Sequence, residues 1–249
     1  MAKRSFIAEN DIDPSVDPST AFGNVVDLSR TLIERTYNQL RLDIVEGRLQ
    51  PDEKLRVEHL KNRYEVGAGT LREAMSRLIS DSLIMAEGQR GFRVSPMAIE
   101  DLEDITRTRI QLEIEAIRQS IQRGDTAWRT KLTEVHDELD ALGNPGDTVD
   151  RKQWEHLNAR FHAVLIESHA SAWTLRFLDM LSRHGERYRR LAISLKLPGR
   201  DVQAEHRDIY QSAISGNDVR AALALEAHIR ATTDALRQAM AKGVKVFDA

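Results

Sequence analysis

Seven of the eight histidines of this 249-residue chain fall in its second half: His136, His156, His162, His169, His184, His206 and His228. A histidine on a helix is usually structural or exposed, so spacing has to select among them. Asn158 and His162 are four apart, which on a helix puts both side chains on one face. His206 and His228 belong to two later helical segments, whose antiparallel packing could bring both imidazoles to the same point. Three imidazole nitrogens and an amide oxygen suit zinc, nickel or manganese, and such a set leaves coordination positions for water or a carboxylate. The competing reading is a polar core cluster without an ion. Earlier in this half, Arg107, Arg109 and Glu113 offer carboxylate chemistry, because a guanidinium can make two parallel charge-assisted hydrogen bonds. The plainer alternative is surface ion pairing with Glu103, Asp104 or Glu113. Arg187, Arg189 and Arg190 read as a solvated basic face.

A second set of side chains lies nearer the N-terminus. Arg72, Ser76 and Arg77 occupy the polar side of a segment whose apolar residues, Leu71, Ala74, Met75, Leu78 and Ile79, recur with helical spacing. Arg56 opens the preceding helix and Arg90 stands between Gly88 and Gly91 at a hairpin tip. Lys54 to Arg93 carries eight Lys or Arg against five Asp or Glu, inside a chain of net charge -3. Any contact with nucleic acid must therefore be local.

These groups need elements to position them. Residues 1 to about 25 show no hydrophobic period and read as an unstructured arm. A helix is expected from about Val26 to Glu46, ended by Gly47. Pro51-Asp52 makes a turn, and a short helix carrying Val57, Leu60 and Tyr64 stops near Gly67. Thr70 and Glu73 have capping-box spacing, which puts the start of the third helix near Thr70. Leu83 to Ala86 and Phe92 to Val94 then form a two-stranded hairpin around a double-glycine turn. Ser95-Pro96 reads as a helix start, and breaks at Gly124-Asp125, Gly143 to Gly146, His169 to Ser171, Pro198-Gly199 and Gly216-Asn217 leave about six helices. The expected fold is mainly α: a winged helix-turn-helix of three helices and a hairpin over 26–96, an antiparallel helical bundle over 97–243, and a tail over 244–249. In such a head a helix enters the major groove, with Arg72, Ser76 and Arg77 toward the DNA and Arg56 and Arg90 at phosphates or the minor groove.

Several function classes are excluded or disfavoured. With no cysteine, disulfides, thiolate metal sites and cysteine nucleophiles are out, in keeping with a reducing cytoplasm. No run approaches the roughly 20 apolar residues of a membrane span, and the N-terminus lacks the apolar core of a signal peptide. Neither a glycine-rich phosphate loop nor a serine nucleophile motif is present. A non-enzyme is expected; a metal-dependent helical hydrolase with an accessory DNA-like domain is the alternative.

The motifs also carry a resemblance. Leu55-Arg56 and Leu60, then Val66 through Leu71-Arg72-Glu73-Ala74-Met75, then Gly88 to Gly91 and Phe92-Arg93-Val94 resemble the GntR family signature. One departure is Gly67-Ala68-Gly69 in place of the usual Ser-Arg-Thr. Asn158-Ala159-Arg160-Phe161-His162, Glu205-His206-Arg207 and Ala227-His228-Ile229 resemble the FCD-type effector domain of the FadR-like branch, with Asn158 where aspartate is more common. Arg109-Ile110-Gln111-Leu112-Glu113 resembles its R-x-x-L-E stretch, which selects Arg109 over Arg107 as the effector-facing arginine. Gln50 to Arg56 and Gln89 to Val94 are similar to the carbon-starvation-induced, glutarate-responsive repressors of this branch. The resemblance implies a homodimeric repressor that binds operator DNA and is released by a small carboxylate or dicarboxylate effector near a divalent metal, zinc before nickel or manganese.

Overall fold

The computed structural model describes residues 31–88, 91–145, 149–169, 171–195 and 200–247. The arm over 1–25, the start of the first helix before residue 31, and Arg90 at the hairpin tip lie outside the described residues. Helix α1, Leu32–Val45, opens on Thr31, whose Oγ1 accepts from the Glu34 amide at 3.2 Å. It closes at Gly47, whose φ of 71° suits a residue without Cβ. Strand β1, Lys54–Leu55, precedes α2, Val57–Arg63, and α3, Ala68–Ser80. Strands β2, Ile84–Ala86, and β3, Phe92–Val94, follow.

The architecture is the expected winged head with three local differences. The sheet has three antiparallel strands in the order β1-β3-β2, with Lys54 opposite Arg93 and Leu55 opposite Phe92. Two residues cannot display an alternating pattern, so β1 left no periodic signal. Helix α3 starts two residues before Thr70: Gly67 is the extended N-cap residue and its carbonyl accepts from Leu71 N at 3.0 Å. Ala68 and Gly69 are small enough to continue the first turn, so Thr70 sits inside it and makes no cap bond. Nor does Ser95 start a helix, since its hydroxyl donates to Ser82 O at 2.6 Å and the next helix begins at Ile99.

One face of α3, Leu71, Ala74, Met75 and Leu78, is fully buried against Leu40, Ile44, Leu60, Leu83, Ile84 and Val94. Within this core Asp43, 2% exposed, gathers four donors. Its Oδ1 accepts from Gln39 at 3.0 Å and Arg48 at 2.8 Å, and its Oδ2 from Arg63 at 3.0 Å and Tyr64 at 2.5 Å. Burial raises the carboxyl's pKa, but the hydrogen bonds from Tyr64, Arg48 and Gln39 outweigh it and hold the group below its ordinary range.

The bundle consists of α4, Ile99–Arg123; α5, Thr126–Leu142; α6, Arg151–Ile166 with a 3₁₀ turn, Glu167–His169; α7, Ala172–Ser194; α8, Val202–Ile214; and α9, Asp218–Ala241. Five of these helices open on a side chain that accepts from a first-turn amide: Asp125, Asp150, Ser171, Asp201 and Asn217. The main core runs from Ala116 and Ile117 through Leu132, Phe161 and Leu165 to Leu225 and Ile229. After α9 the chain does not trail away as a tail, because Val246 packs with Leu102, Ile105, Tyr188 and Leu236.

Helix α7 joins the two units. Asp81, the C-cap residue of α3, accepts from the Tyr37 hydroxyl and from Arg183 Nη1 at 3.2 Å, and its backbone oxygen accepts from His184 Nε2 at 2.9 Å. Arg187 Nη2 donates to Ser95 O at 2.6 Å, and Arg190 lies 3.5 Å from Glu46. The basic cluster of α7 is thus not a solvated face: Arg187 is 3% exposed, and the Arg189 and Arg190 side chains 16% and 10%. Each guanidinium meets a carboxylate or carbonyl supplied by a distant segment.

Removing the Asp43 carboxylate leaves Arg48, Arg63 and Tyr64 without their shared acceptor. Asp43→Ala is expected to lower the unfolding free energy by about 2 kcal/mol, measured by calorimetry. Because the carboxyl pKa is depressed in the fold, its contribution is complete at neutral pH and declines as pH falls through and below the ordinary carboxylate range; the variant should lack that part of the acid dependence.

Candidate nucleic-acid interface and metal centre

Helix α3 presents Arg72, Glu73, Ser76 and Arg77 to solvent, opposite its buried apolar face. Arg72 and Ser76 are one turn apart and therefore share a face. Arg77 lies 3.8 Å from Glu73 with both side chains about half exposed, a weak pairing that leaves the guanidinium available. Arg56 is exposed as the N-cap residue of α2. The Glu58 carboxyl in the first turn of α2 is held below its ordinary range chiefly by Lys61, with a smaller contribution from the Arg72 charge. Arg90 lies outside the described residues, but Gly88 and Gly91 on either side have φ of 53° and 104°. The chain therefore reverses as a glycine-bounded wing requires.

In the bundle, α6, α8 and α9 bring His162, His206 and His228 together, with one nitrogen of each within 4.8 Å of the others. Ring centroids lie 4.8 to 5.6 Å apart. Burial keeps all three imidazoles neutral: it drives His162 and His228 well below the ordinary value of 6.5 and His206 to about 3. The charges of Arg109 and Arg189 push His162 and His228 further in the same direction, so two guanidiniums stand near the trio. A neutral imidazole keeps a lone pair, the state a metal ligand needs.

Hydrogen bonding tests whether an ion fits. Among the described residues, Asn158 Oδ1, His162 Nδ1 and both nitrogens of His206 are buried without a hydrogen-bond partner. Orphaned buried polar atoms cost free energy, and a native core rarely concentrates them. Borderline imidazole nitrogens with a hard amide oxygen match a divalent cation such as zinc. Of the other histidines, His136 stacks on Tyr210 at 4.0 Å, His169 Nδ1 meets Gln119 and His184 holds Asp81, while the Nε2 atoms of His136 and His169 are also buried without a partner.

Arg109 points inward, its side chain 12% exposed and its Nε 2.7 Å from Glu113. Arg107 points outward, 64% exposed and paired with Asp104. A Cβ at Gly185 of α7 would sit 3.4 Å from Arg109 Nη1 and 3.5 Å from Arg189 Nη1, in van der Waals contact with both guanidiniums, so α7 passes close to them. Arg189 in turn reaches Glu155 at 3.1 Å, and both carry a further buried atom without a partner. Glu155, Arg189 and Gly185 were not selectable from spacing, because 34 residues separate the pair. A separate depression of about 260 Å³, lined by Glu103, Thr106, Arg107, Arg230, Thr233, Asp234 and Arg237, lies between α4 and α9 and includes none of the trio. Its arginines are paired with Asp104, Glu226 and Glu103.

A winged helix-turn-helix head joined to an all-helical domain with an internal polar site defines a DNA-binding regulator. The family comparisons agree. Residues 32–94 match the model of bacterial regulatory proteins, gntR family, and residues 104–231 match the FCD domain. The chain belongs to the GntR family of transcriptional regulators, with an FCD domain following the winged head. It is 43% identical over 212 residues to the HTH-type transcriptional regulator BphR of Paraburkholderia xenovorans, covering 84% of this chain and 86% of that one. It is 30% identical to the HTH-type transcriptional repressor GlaR of Escherichia coli, covering 82% and 96%. The fold matches E. coli McbR/YncC with a TM-score of 0.69 at 17% identity, over 84% of this chain and 99% of that one. These relatives lend nothing to the hydrolase alternative, and no described helix is long and apolar enough to cross a membrane.

The trio also sets a pH dependence. The unfolded chain protonates these histidines below about 6.5 while the fold keeps them neutral, so stability is full above that pH and is lost below it, by about 2 kcal/mol per histidine between pH 7.5 and 5.0. Chelator-treated protein should show this fall in urea unfolding, and His206→Gln should shrink it by about a third. A flat profile would show that the rings are not held neutral.

Proposed function

We propose that this regulator is a homodimeric repressor whose operator affinity is set by a small carboxylate bound in the FCD domain beside a divalent metal. The observation that carries the reading is the joint one: an exposed cationic face on α3 and a buried set of unpartnered neutral donors in the bundle, linked by one helix. On DNA, two α3 helices would enter successive major grooves of a palindromic site. Arg72 and Ser76 would reach base edges, Arg77 and Arg56 the phosphates, with Arg90 at the wing tip.

In the bundle, Asn158, His162, His206 and His228 would hold the metal, zinc by preference and nickel or manganese as alternatives. When bound, the ion supplies an electrophilic position for a carboxylate oxygen. Arg109 is the residue assigned to the effector, since its guanidinium is buried beside the trio and its partner Glu113 can be exchanged for an incoming carboxylate. A dicarboxylate suits a site with two guanidiniums near the ion, and GlaR is the relative that lends the repressor sign.

Helix α7 supplies the route between the sites. It passes Arg109 and Arg189 closely enough at Gly185 that a Cβ there would meet both, while Arg183, His184, Arg187 and Arg190 grip Asp81, Ser95 and Glu46 of the head. A shift of α7 on effector binding would reposition the head through the residues 95–98 connector. The effector can act only through its difference in affinity for the two arrangements, typically 1–3 kcal/mol.

The test is fluorescence anisotropy on DNA from the chain's own upstream region. Binding should weaken steeply with salt, and Arg72→Ala should cost about 1–3 kcal/mol; unchanged affinity would remove α3 from the groove. A thermal-shift screen of small carboxylates, with and without chelator, should find ligands that stabilise only the metal-loaded protein. Arg183→Ala should keep DNA binding but lose most of the change in affinity that such a ligand causes; full retention of that change would take α7 out of the route.

A further inference from the structure

The three imidazoles are not equivalent. His206 has no hydrogen-bond partner on either nitrogen and His162 none on Nδ1, whereas His228 Nδ1 lies 2.8 Å from Glu205 Oε2. Glu205 is itself anchored. Arg200 donates to it from Nε at 2.9 and 3.2 Å and from Nη2 at 2.8 Å. The same guanidinium reaches the His228 carbonyl at 3.0 Å and Thr232 Oγ1 at 2.8 Å, so it ties the carboxylate to the helix that carries the ring.

We propose that Glu205, locked by Arg200, is a positioning residue that fixes His228 as the Nδ1–H tautomer and leaves Nε2 as its metal-binding nitrogen. The inference rests on the reading of the trio as a metal centre and adds to it a residue outside the ligand set. Arg200 Nη2 also lies 3.4 Å from the same Nδ1, but it is committed at shorter range to Glu205 and the His228 carbonyl, and the 2.8 Å carboxylate contact is the one that sets the tautomer. A carboxylate gripped on both oxygens by a guanidinium can only accept, so the ring nitrogen facing it must carry the proton. The lone pair then resides on Nε2, and the acceptor behind Nδ1–H makes that nitrogen a stronger donor. Arg200 also keeps Glu205 from turning inward as a ligand itself, because both its oxygens are taken.

Glu205 and its neighbours also fit a plainer role, an acidic residue in the first turn of α8 paired across a loop. Two readouts separate the roles. In metal-free full-length protein, long-range ¹H–¹⁵N spectra should show His228 as the Nδ1–H tautomer, and Glu205→Ala should lose that preference. In chelator-competition titrations with zinc alone, Glu205→Ala should weaken binding roughly 10- to 100-fold. Glu205→Gln, whose amide oxygen still accepts from Nδ1–H, should recover most of the affinity and keep the tautomer, which also guards against a folding defect in the alanine variant. Unchanged zinc affinity in Glu205→Ala, or a His228 ring whose tautomer ignores residue 205, would overturn the proposal. Failure of the unaltered protein to bind zinc would instead overturn the metal-centre reading; the tautomer spectra would then decide the orienting role by themselves.

Discussion

Burying an imidazole in a helical bundle costs its hydration, and burying three within contact distance of one another costs it three times while forbidding any of them a charge. The bundle accepts this at the meeting point of α6, α8 and α9, and the arrangement of everything around the point follows from it. Glu205 and Arg200 satisfy one ring from behind. Arg109 and Arg189 stand near, each balanced by its own buried carboxylate, Glu113 or Glu155, so that the added positive charge does not accumulate. Four of the thirteen buried atoms left without a partner among the described residues fall on Asn158, His162 and His206, and His206 has both ring nitrogens among them. A polar core built only for stability would do better with apolar residues of similar volume. Concentrated unmet donors therefore argue for a ligand that arrives from outside the chain.

The second organising feature is the length of α7. Within Ala172–Ser194 one helix carries side chains that meet both the polar site and the winged head. Gly185 and Arg189 face the polar site while Arg183, His184, Arg187 and Arg190 face the head, so this stretch of the helix is divided by face. Asp81 matters here because it ends α3: a group that grips the C-terminal cap of α3 controls the direction in which the helix's exposed face points. Tyr37, Arg183 and His184 converge on this one residue from two elements. The head is thereby held by polar contacts with defined directions rather than by a broad apolar seam, an arrangement suited to two discrete positions.

Local signals carried most of the fold. Gly124-Asp125 and Gly216-Asn217 mark real boundaries because a stop and a cap sit side by side in sequence and need no tertiary partner. The apolar period of α3 was equally plain, and so was the outward set Arg72, Ser76 and Arg77. Where a local signal competed with tertiary contacts, it misled. The Ser95 hydroxyl caps no helix because Ser82 O is nearer its path, and Thr70 was bypassed because Gly67 could end the preceding segment earlier. The histidine trio was legible from one i, i+4 pair and two later helices. Its surroundings were not: Glu205 meets His228 across 23 residues, and Arg189 meets Glu155 across 34. A run of arginines in α7 looks solvated until those partners are in place.

The central claim is that the three neutral rings exist to hold a cation. Diffraction at the zinc absorption edge, from crystals of the full chain grown with zinc and from a chelated control, tests it most directly. The account predicts one anomalous peak bounded by His162, His206 and His228 and absent from the control. No peak there, with the three rings instead satisfied by ordered water or by one another, would contradict it.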